Sequence, residues 1–317
     1  MRVIVFLILT VIALLTSVGG CSTWNAEKTA PMIGAHVNVN GAQMHVVELG
    51  EHNNEKPPVV LIHGASANLR DMKIALGETL SSDRRVIMID RPGRGYSERP
   101  SDGWRLDRQA AQINGVVRAL GLEKPIIVGQ SFGGAVALAY ALEYQEEMTG
   151  LVLLAPVSHE WPGGVAWYNS VSETPVAGFL LRRIVIPLYG QLAAKNGVEE
   201  SFAPNVPPEN YAERSGLALL FRPKDFRSNA SDLVHLKQQI MDQQQRYQEL
   251  ELPVTIITGV DDTTVSPELH SKALVKQVDG ASLTLLPDTG HAIHHARAPV
   301  IIDAIEAASV GVTSDSP

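Results

Sequence analysis

The sequence PIIVGQSFGGAV, residues 125–136, decides the fold that we predict for this chain. After Pro125, the residues Ile126–Val128 form a short β-branched run typical of a buried strand, and Phe132 opens a stretch of small and apolar residues typical of a helix. Between them, Ser131 stands at the centre of a G-x-S-x-G pattern with Gly129 and Gly133. A strand–turn–helix of this kind pushes a serine hydroxyl clear of the sheet, and the glycines suit a sharp turn with backbone close by. Ser131 is therefore the candidate nucleophile, against the alternative of a tight packing turn with an incidental serine.

Strand and helix signals alternate on both sides of this turn. The predicted strands are His36–Val39, Gln43–Glu48, Pro58–Ile62, Val86–Ile89, Ile126–Val128, Leu151–Leu154, Val254–Thr258 and Ser282–Leu286. The predicted helices are Leu69–Leu80, Leu106–Leu120, Phe132–Glu143, Pro267–Val278 and Pro299–Ala308. This alternation predicts a mainly parallel sheet that helices cover on both faces. It lapses only between Ser158 and Leu250, which predicts an insertion.

A serine hydroxyl is a poor nucleophile until a base removes its proton, so the sequence should also supply a histidine. Gly290-His291 follows the predicted strand Ser282–Leu286 and a turn, so His291 could face the serine from the carboxyl end of a late strand. His294 and His295 are the rivals, although both would lie further into the following loop or helix. We interpret them as solvated or supporting residues, because two histidines alone do not make a metal site.

The base in turn needs an acid that holds its tautomer and balances the imidazolium charge. Asp261 and Asp262 follow the predicted strand Val254–Thr258, which gives the chain order serine, aspartate, histidine. Asp288 is a third candidate, but it lies so close in sequence to His291 that it is poorly placed to orient that ring. The residues themselves leave Asp261 and Asp262 open.

With these motifs in this order, the chain resembles the α/β-hydrolase-fold serine hydrolases that carry a cap. The resemblance spans about Val37 to Ala308 and implies a mostly parallel central sheet flanked by helices, with a helical cap after the sixth strand. The family's acid stands three residues after the glycine that ends its strand, which selects Asp262 and leaves Asp261 as a loop carboxylate. We place the hydrolase core at residues 36–157 and 251–310 and the cap at residues 158–250.

The resemblance also implies an oxyanion hole, since His63-Gly64-Ala65 follows a predicted strand at the place of the family's His-Gly-x motif. The backbone N–H groups of Ala65 and Phe132 would bind the oxyanion, and such donors can each contribute about 3–4 kcal/mol. Gly64 permits close backbone approach, and His63 orders the loop by hydrogen bonding. Three neighbours of the serine are expected to support the site: Gly129, Gln130 and Gly133. This chemistry needs no metal and no cofactor.

The stretch DRPGRGYS at residues 90–97 has the glycine content of a phosphate-binding loop. It lacks the glycine and lysine spacing of such loops, and no predicted helix starts there. Similar stretches follow the fourth strand of α/β-hydrolases as a structural turn. We therefore interpret Arg91, Arg94 and Arg99 as surface or ion-pairing residues.

Composition excludes several other classes of protein. The chain has 317 residues, with 26 Lys and Arg against 34 Asp and Glu, so its net charge of −8 supplies no basic field for nucleic acid. Its single cysteine excludes an internal disulfide and a multi-cysteine zinc or iron–sulfur site. The expected partner is therefore a small molecule, and we assume a monomer.

The N-terminus has the pattern of an export signal. Met1-Arg2 is positive, Val3 to Leu15 is apolar apart from one threonine, and small residues lead to Cys21. This pattern resembles a bacterial lipoprotein signal, which implies a signal peptide at residues 1–20, a lipidated Cys21 and an exported, membrane-anchored protein. The alternatives are an ordinary cleaved signal and an uncleaved anchor. We interpret residues 21–35 as a tether and residues 311–317 as a flexible tail.

The identity of the nucleophile narrows the predicted function. Haloalkane dehalogenases and epoxide hydrolases of this fold use an aspartate at the turn, so Ser131 argues against both. The predicted cap holds ten of the seventeen aromatic residues and no cluster of charge, which favours an uncharged, moderately hydrophobic ester. The rings could instead pack only the cap's own core. Alternatives to the esterase are a carbon–carbon bond hydrolase, an aminopeptidase or amidase, and a lipid-tethered binding or scaffold protein.

Overall fold

A computed structural model describes residues 17–51 and 55–310, and its centre is one eight-stranded sheet. The strands are β1 (Ala35–Val39), β2 (Ala42–Leu49), β3 (Val59–Ile62), β4 (Val86–Ile89), β5 (Ile126–Gln130), β6 (Gly150–Leu154), β7 (Val254–Gly259) and β8 (Ser282–Leu286). Their order is β1-β2-β4-β3-β5-β6-β7-β8; the β1–β2 and β2–β4 pairings are antiparallel, and the other five are parallel. The predicted mostly parallel sheet is confirmed.

Alternate residues of the central strands pack into two separate apolar clusters, one on each face of the sheet. In β3, Val60 and Ile62 belong to one cluster, whereas Val59 and Leu61 belong to the other. All four are fully buried, because helices cover both faces of a parallel sheet. This alternation explains why the strands read as continuous apolar runs.

The helices that flank the sheet mostly match the predicted bounds. The helical segments before the insertion are α1 (residues 17–29), α2 (Leu69–Met72), α3 (Glu78–Leu80), α4 (Leu106–Ala119) and α5 (Phe132–Tyr144). After the insertion follow α11 (Ser271–Gln277), α12 (Ile293–Ala296) and α13 (Ala298–Val310).

Two flanking helices differ from the prediction. A π-helical turn at Lys73–Gly77 interrupts the helix predicted from Leu69 to Leu80 and joins α2 to α3. The helix predicted from Pro267 becomes regular only at Ser271, because the N–H of Lys272 donates to Pro267 O, five residues back. Apolar periodicity does not distinguish these bonding patterns from a regular α-helix.

The insertion between β6 and β7 is helical. It contains α6 (Trp167–Ser172), α7 (Ala177–Leu180), α8 (Ile186–Phe202), α9 (Tyr211–Arg214) and α10 (Pro223–Gln243), with a π-helical turn at Leu181–Val185 before α8. Helix α10 is the longest, and its side chains reach the loops at the carboxyl edge of the sheet. We call this insertion the cap.

The N-terminal helix packs on the cap. Residues 17–29 are helical, so much of the segment predicted as a tether has regular structure. Ala26 and Ala30 are four residues apart and form a small buried face with Leu219. Glu27 also pairs with the buried Arg222 at 2.9 Å. These contacts attach α1 to the cap before β1 begins at Ala35.

Two predicted segments fall partly or wholly outside the described residues. The predicted signal peptide is described only from residue 17, and the predicted tail at 311–317 is not described. Within the described part of the chain, no helix has the length and apolar character that a membrane span requires.

Candidate active site

The turn at Ser131 brings the carboxyl end of β5 to the first residue of α5. Ser131 has φ 55° and ψ −117°, a backbone conformation that is costly for a residue with a side chain. Its N–H donates to Leu154 O at 2.9 Å, which ties the turn to β6. A Cβ at Gly133 would lie 2.3 Å from Ile62 O, so only glycine lets α5 start this close to β3.

His291 and Asp262 form a short pair beside this turn. The Nδ1 of His291 lies 2.7 Å from Oδ2 of Asp262, and both side chains are almost completely buried. The other carboxylate oxygen accepts from the N–H groups of Thr264 and Val265, each at 2.8 Å. Because Oδ1 accepts from these two amides, Oδ2 is left to accept from the histidine. The ring is therefore protonated at Nδ1.

The Nε2 of His291 therefore carries the free lone pair, as a general base requires. In this structure that lone pair faces the side-chain amide of Gln130, whose Nε2 lies 3.3 Å away. No hydrogen bond joins Ser131 to His291 within the described residues. Such bonds often form only when substrate is bound. The structure thus places His291 against Gln130, the residue next to Ser131. The sequence did not predict this side-chain contact.

The predicted oxyanion loop lies against the same turn. A Cβ at Gly64 would lie 3.2 Å from the Cβ of Ser131 and closer still to Oε1 of Gln130. The N–H groups of Ala65 and Phe132 donate no hydrogen bond to any described residue. Because helix α10 contributes Asn229, whose Oδ1 accepts from the N–H of Ser66 at 2.7 Å, the cap helps to fix the loop.

His63 orders this loop as a neutral ring. Its Nδ1–H donates to Gly64 O at 2.8 Å, and its Nε2 accepts from the N–H of Arg91 at 3.0 Å. Burial lowers the pKa of His63 to about 3, and the nearby Arg91 charge acts in the same direction. The ring is therefore uncharged across the physiological range, and both its nitrogens are used for structure.

Arg91 connects the oxyanion loop to the cap. Its guanidinium donates to the carbonyl oxygens of His63 and Gly64 at 3.1 and 3.2 Å, and it pairs with Asp232 of α10 at 2.9 Å. Arg99 reaches the other oxygen of Asp232 at 2.8 Å. Ion pairing of these two arginines fits the prediction, but the surface location does not, since Arg91 is fully buried and Arg94 is 1% exposed.

The other candidate acids have structural partners away from the base. The N–H of Thr289 donates to Oδ2 of Asp261 at 3.2 Å, so Asp261 braces the loop that precedes His291. Asp288 has a positive φ of 50°, and its carbonyl oxygen accepts from Asn205 and Arg297. Neither carboxylate is hydrogen-bonded to His291.

The rival histidines, His294 and His295, converge on Asp71 instead. Their Nε2 atoms lie 2.9 and 2.7 Å from its two carboxylate oxygens, and Tyr211 of the cap donates to Oδ1 at 2.8 Å. The histidines lower the pKa of Asp71 well below its usual value against the opposing effect of burial, while burial lowers that of His294.

This arrangement also places one possible ligand atom from each of Asp71, His294 and His295 within 4.8 Å of one another. We interpret the cluster as a hydrogen-bonded link between cap and core. A metal-bound imidazole normally donates its second N–H to a partner, whereas Nδ1 of His294 is buried without one.

The cap covers the site closely. Ser131 is 7% exposed and His291 is 9% exposed. The cap's ten aromatic residues fall into three groups: Phe202, Phe221, Phe226 and Tyr247 are buried, Trp167, Tyr168 and Tyr189 are exposed, and Trp161, Phe179 and Tyr211 are half-buried. The aromatic composition of the cap therefore does not by itself describe a substrate pocket.

Sequence reasoning found the serine turn and the histidine–aspartate pair but missed the supporting side chains. Asn229 and Asp232 lie in a polar helix that carries no recognisable motif. Asp71 and Tyr211 are 140 residues apart in the sequence, and only the folded chain brings them into contact. The i, i+3 spacing of Asn229 and Asp232 puts them on one helical face, but nothing in the sequence indicates what that face contacts.

Comparison with known proteins adds independent findings. A family model for the α/β hydrolase fold matches residues 57–298. A 2-hydroxymuconate semialdehyde hydrolase from Pseudomonas putida is 29% identical over 290 residues, covering 86% of this chain and 93% of that protein.

Two solved structures are also similar. An esterase from Exiguobacterium antarcticum superposes with a TM-score of 0.67 at 21% identity, covering 87% of this chain and 99% of that one. A meta-cleavage product hydrolase from Pseudomonas fluorescens superposes with a TM-score of 0.65 at 23% identity, covering 87% and 97%. At these identities the structural similarity shows the fold alone.

The buried neutral state of His63 predicts how stability depends on pH. Above about pH 6.5 the ring is uncharged in both the folded and the unfolded chain, and no stability is lost there. As the pH falls from about 6.5 towards 3, the unfolded chain binds a proton that the folded chain does not, so the free energy of unfolding should decrease. Urea unfolding at pH 7 and pH 5 measures this loss.

The matched variant is His63→Gln, whose side chain can still accept from Arg91 but does not titrate. The variant should lose less stability than the wild type between pH 7 and 5, by up to about 1.4 kcal/mol per pH unit. An equal loss in the two proteins would contradict a neutral His63.

Proposed function

Because the chain belongs to the α/β-hydrolase family and is a hydrolase of that fold, we propose that it cleaves carboxylic esters through an acyl-enzyme on Ser131. The observation that carries this proposal is the 2.7 Å contact between Asp262 and Nδ1 of His291, beside a serine at a strained strand-to-helix turn. That contact leaves Nε2 as the base, which is the arrangement that nucleophilic acyl transfer requires.

The proposed reaction has two steps. His291 Nε2 first gives up its contact with the Gln130 amide and accepts a hydrogen bond from the hydroxyl of Ser131. It then takes the hydroxyl proton as Oγ attacks the ester carbonyl. The imidazolium then protonates the leaving alcohol, which breaks the ester bond and leaves an acyl-serine. Water, deprotonated by the same ring, attacks the acyl carbon; the imidazolium then returns the proton to Oγ as the acyl–oxygen bond breaks, which releases the carboxylic acid and the free serine.

Two backbone N–H groups without a hydrogen-bond partner among the described residues support the proposed oxyanion hole. The N–H groups of Ala65 and Phe132 would donate to the oxygen that becomes negative when Ser131 attacks. The loop of Ala65 is held by Asn229 and Arg91, and the N–H of Phe132 is fixed by its place in the first turn of α5. Donors fixed before the reaction stabilise the transition state without reorganising, typically by about 3–4 kcal/mol each.

The charges around the oxyanion loop favour an uncharged substrate. Arg91 is fully buried and pairs with an equally buried Asp232. The guanidinium of Arg94 donates to the carbonyl oxygens of Asp225 and Ala67 at 2.6 and 3.1 Å. A substrate carboxylate would have to displace these partners, so we propose a small to medium, moderately hydrophobic ester.

A second candidate is hydrolysis of a carbon–carbon bond in a vinylogous diketone. It is favoured by the relative from Pseudomonas putida, which is named a semialdehyde hydrolase and matches this chain over most of both lengths. The same serine, histidine and aspartate would serve, with a carbanion in place of an alcohol as the leaving group. Aminopeptidase or amidase activity would also use this arrangement.

We further propose that Cys21 is lipidated and that the protein is exported and anchored to a membrane. Cys21 is exposed on α1, where a modifying enzyme can reach it, and it follows the apolar stretch Val3 to Leu15. A mature chain that begins at an acylated Cys21 should show an N-terminal mass increase equal to its acyl groups. Cys21→Ser should abolish that increase, and an unmodified Cys21 in the wild-type mature protein would refute the assignment.

A substrate panel tests the proposed reaction. We expect the wild type to hydrolyse aryl esters of short to medium chain length, and Ser131→Ala to lose at least 10³-fold in kcat/KM because the acyl-enzyme cannot form. The panel should include aminoacyl amides and a vinylogous diketone. Turnover of the diketone alone would replace the ester proposal with the carbon–carbon candidate.

A fluorophosphonate probe separates an enzyme from a scaffold of the same fold. It should label the folded wild type and leave folded Ser131→Ala unlabelled. Absence of labelling in both, with no turnover of any substrate, would favour a binding protein.

The two neighbouring aspartates provide a matched pair for the acid. Asp262→Asn should lower kcat by about 10⁴-fold, because the amide at this position stabilises the wrong tautomer of His291. Asp261→Asn keeps the pair intact and should change kcat less than tenfold. Steady-state kinetics on the two variants, with thermal unfolding as the folding check, measure the difference, and equal effects would contradict the assignment of Asp262.

A further inference from the structure

The first turns of α8 and the π-helical turn before it carry apolar side chains on the outside of the cap. Val185, Leu188, Tyr189 and Leu192 have the spacing i, i+3, i+4, i+7, and we call these four residues the α8 stripe. Their exposed fractions are 44%, 55%, 63% and 74%. This spacing normally marks the face that a helix turns towards a core. Here the face is turned outwards.

The α8 stripe lies within a larger exposed apolar region. Eight of the fifteen large hydrophobic side chains exposed in the described chain lie between residues 167 and 192. Those outside the stripe are Trp167, Tyr168, Val176 and Leu180. Concentrations of this kind on a soluble domain mark an interaction surface, because scattered single residues are the ordinary case.

The charge around the stripe differs in sign from that of the chain. Residues 174–198 contain Arg182, Arg183 and Lys195 and no acidic residue, although the whole chain has a net charge of −8. Glu173 and Glu199 flank this segment, and Glu199 lies 3.9 Å from Lys195, so Arg182 and Arg183 supply its positive charge. An apolar face bordered by basic residues matches a bilayer with anionic headgroups, where the apolar side chains enter the acyl region and the cations remain at the surface.

The N-terminal helix lies on the same side of the cap. Cys21 lines a groove on α1 together with Pro187 and Leu188 at the start of α8. A Cβ at Gly19 would lie 3.5 Å from Cγ of Arg183, which confirms how closely α1 approaches this segment. An acyl chain on Cys21 would therefore leave the protein beside the α8 stripe.

We propose that the α8 stripe and the apolar side chains around it dock on an anionic lipid bilayer, so that the cap faces the membrane. This docking is a contact in addition to any lipid on Cys21 and does not depend on which bond the enzyme hydrolyses. Two weak attachments together hold a protein on a membrane far better than either alone. The other possible occupants, a second copy of the chain or its own N-terminal residues, give different results in the test below.

The test uses the full chain with Cys21→Ser and one new cysteine labelled with the fluorophore NBD. Leu192→Cys places the label on the stripe, and Leu285→Cys places it on the edge strand β8, where the side chain is 39% exposed. Each protein is mixed with vesicles of phosphatidylcholine that contain about 30% of the anionic lipid phosphatidylglycerol. The vesicles are prepared with or without a lipid that carries a doxyl quencher in its acyl chain.

We expect the doxyl lipid to reduce NBD emission at least twofold at residue 192 and to leave residue 285 unchanged. Quenching should weaken in vesicles of phosphatidylcholine alone, since the basic border then loses its partner. Equal, weak quenching at the two positions would overturn the proposal, because the stripe would then lie in water. Blue-shifted emission at residue 192 that the doxyl lipid does not quench would also overturn it, in favour of a protein occupant.

Discussion

The backbone at Ser131 is the constraint on which the rest of the site depends. A φ of 55° at a residue with a side chain is unfavourable, and the surrounding structure must supply the compensation. It does so by hydrogen-bonding the serine N–H to β6 and by giving α5 a glycine where its first turn meets the carbonyl of Ile62. The sharp turn then brings the serine next to the loops of His291 and Ala65, the candidate base and a candidate oxyanion donor.

Those loops are held by buried polar contacts that run from the core into the cap. Asp232 accepts from Arg91 and Arg99, and Asn229 accepts from the N–H of Ser66, so one face of α10 supports the oxyanion loop. Buried charges are expensive unless they are paired and fully hydrogen-bonded, and here the pairing partner belongs to the cap. The cap is therefore part of the framework of the candidate active site as well as its cover.

The sheet could be predicted from the sequence because each strand is recognisable from its own residues. Every strand of the parallel core is a short apolar run between turn residues, and the G-x-S-x-G pattern fixes the crossing from β5 to α5. The pairing of Asp262 with His291 followed from the resemblance to a family, since residue spacing alone left Asp261 equally open. Geometry distinguishes them, because Thr264 and Val265 direct Asp262 while Thr289 holds Asp261.

The features that could not be predicted from the sequence depend on contacts between distant segments. The burial of Arg91 follows from Asp232, which lies 141 residues away, and no local pattern reports such a partner. Gln130 was expected near the site, but its side-chain contact with His291 depends on a loop that begins after β8. The N-terminal segment looks like a polar tether until Leu219 and Arg222 of the cap provide something for it to pack against.

The pairing of Glu27 with Arg222 gives the N-terminal helix α1 a structural role. The guanidinium of Arg222 is fully buried and also holds Asp225 and the carbonyl of Gly95, so Glu27 completes a set of three partners. A processing cut before residue 21 preserves this set. Trimming by a protease beyond residue 27 would remove one of the two carboxylates that pair with this buried cation. Glu27 thus sets how far the N-terminus can be shortened before the cap loses a partner of Arg222.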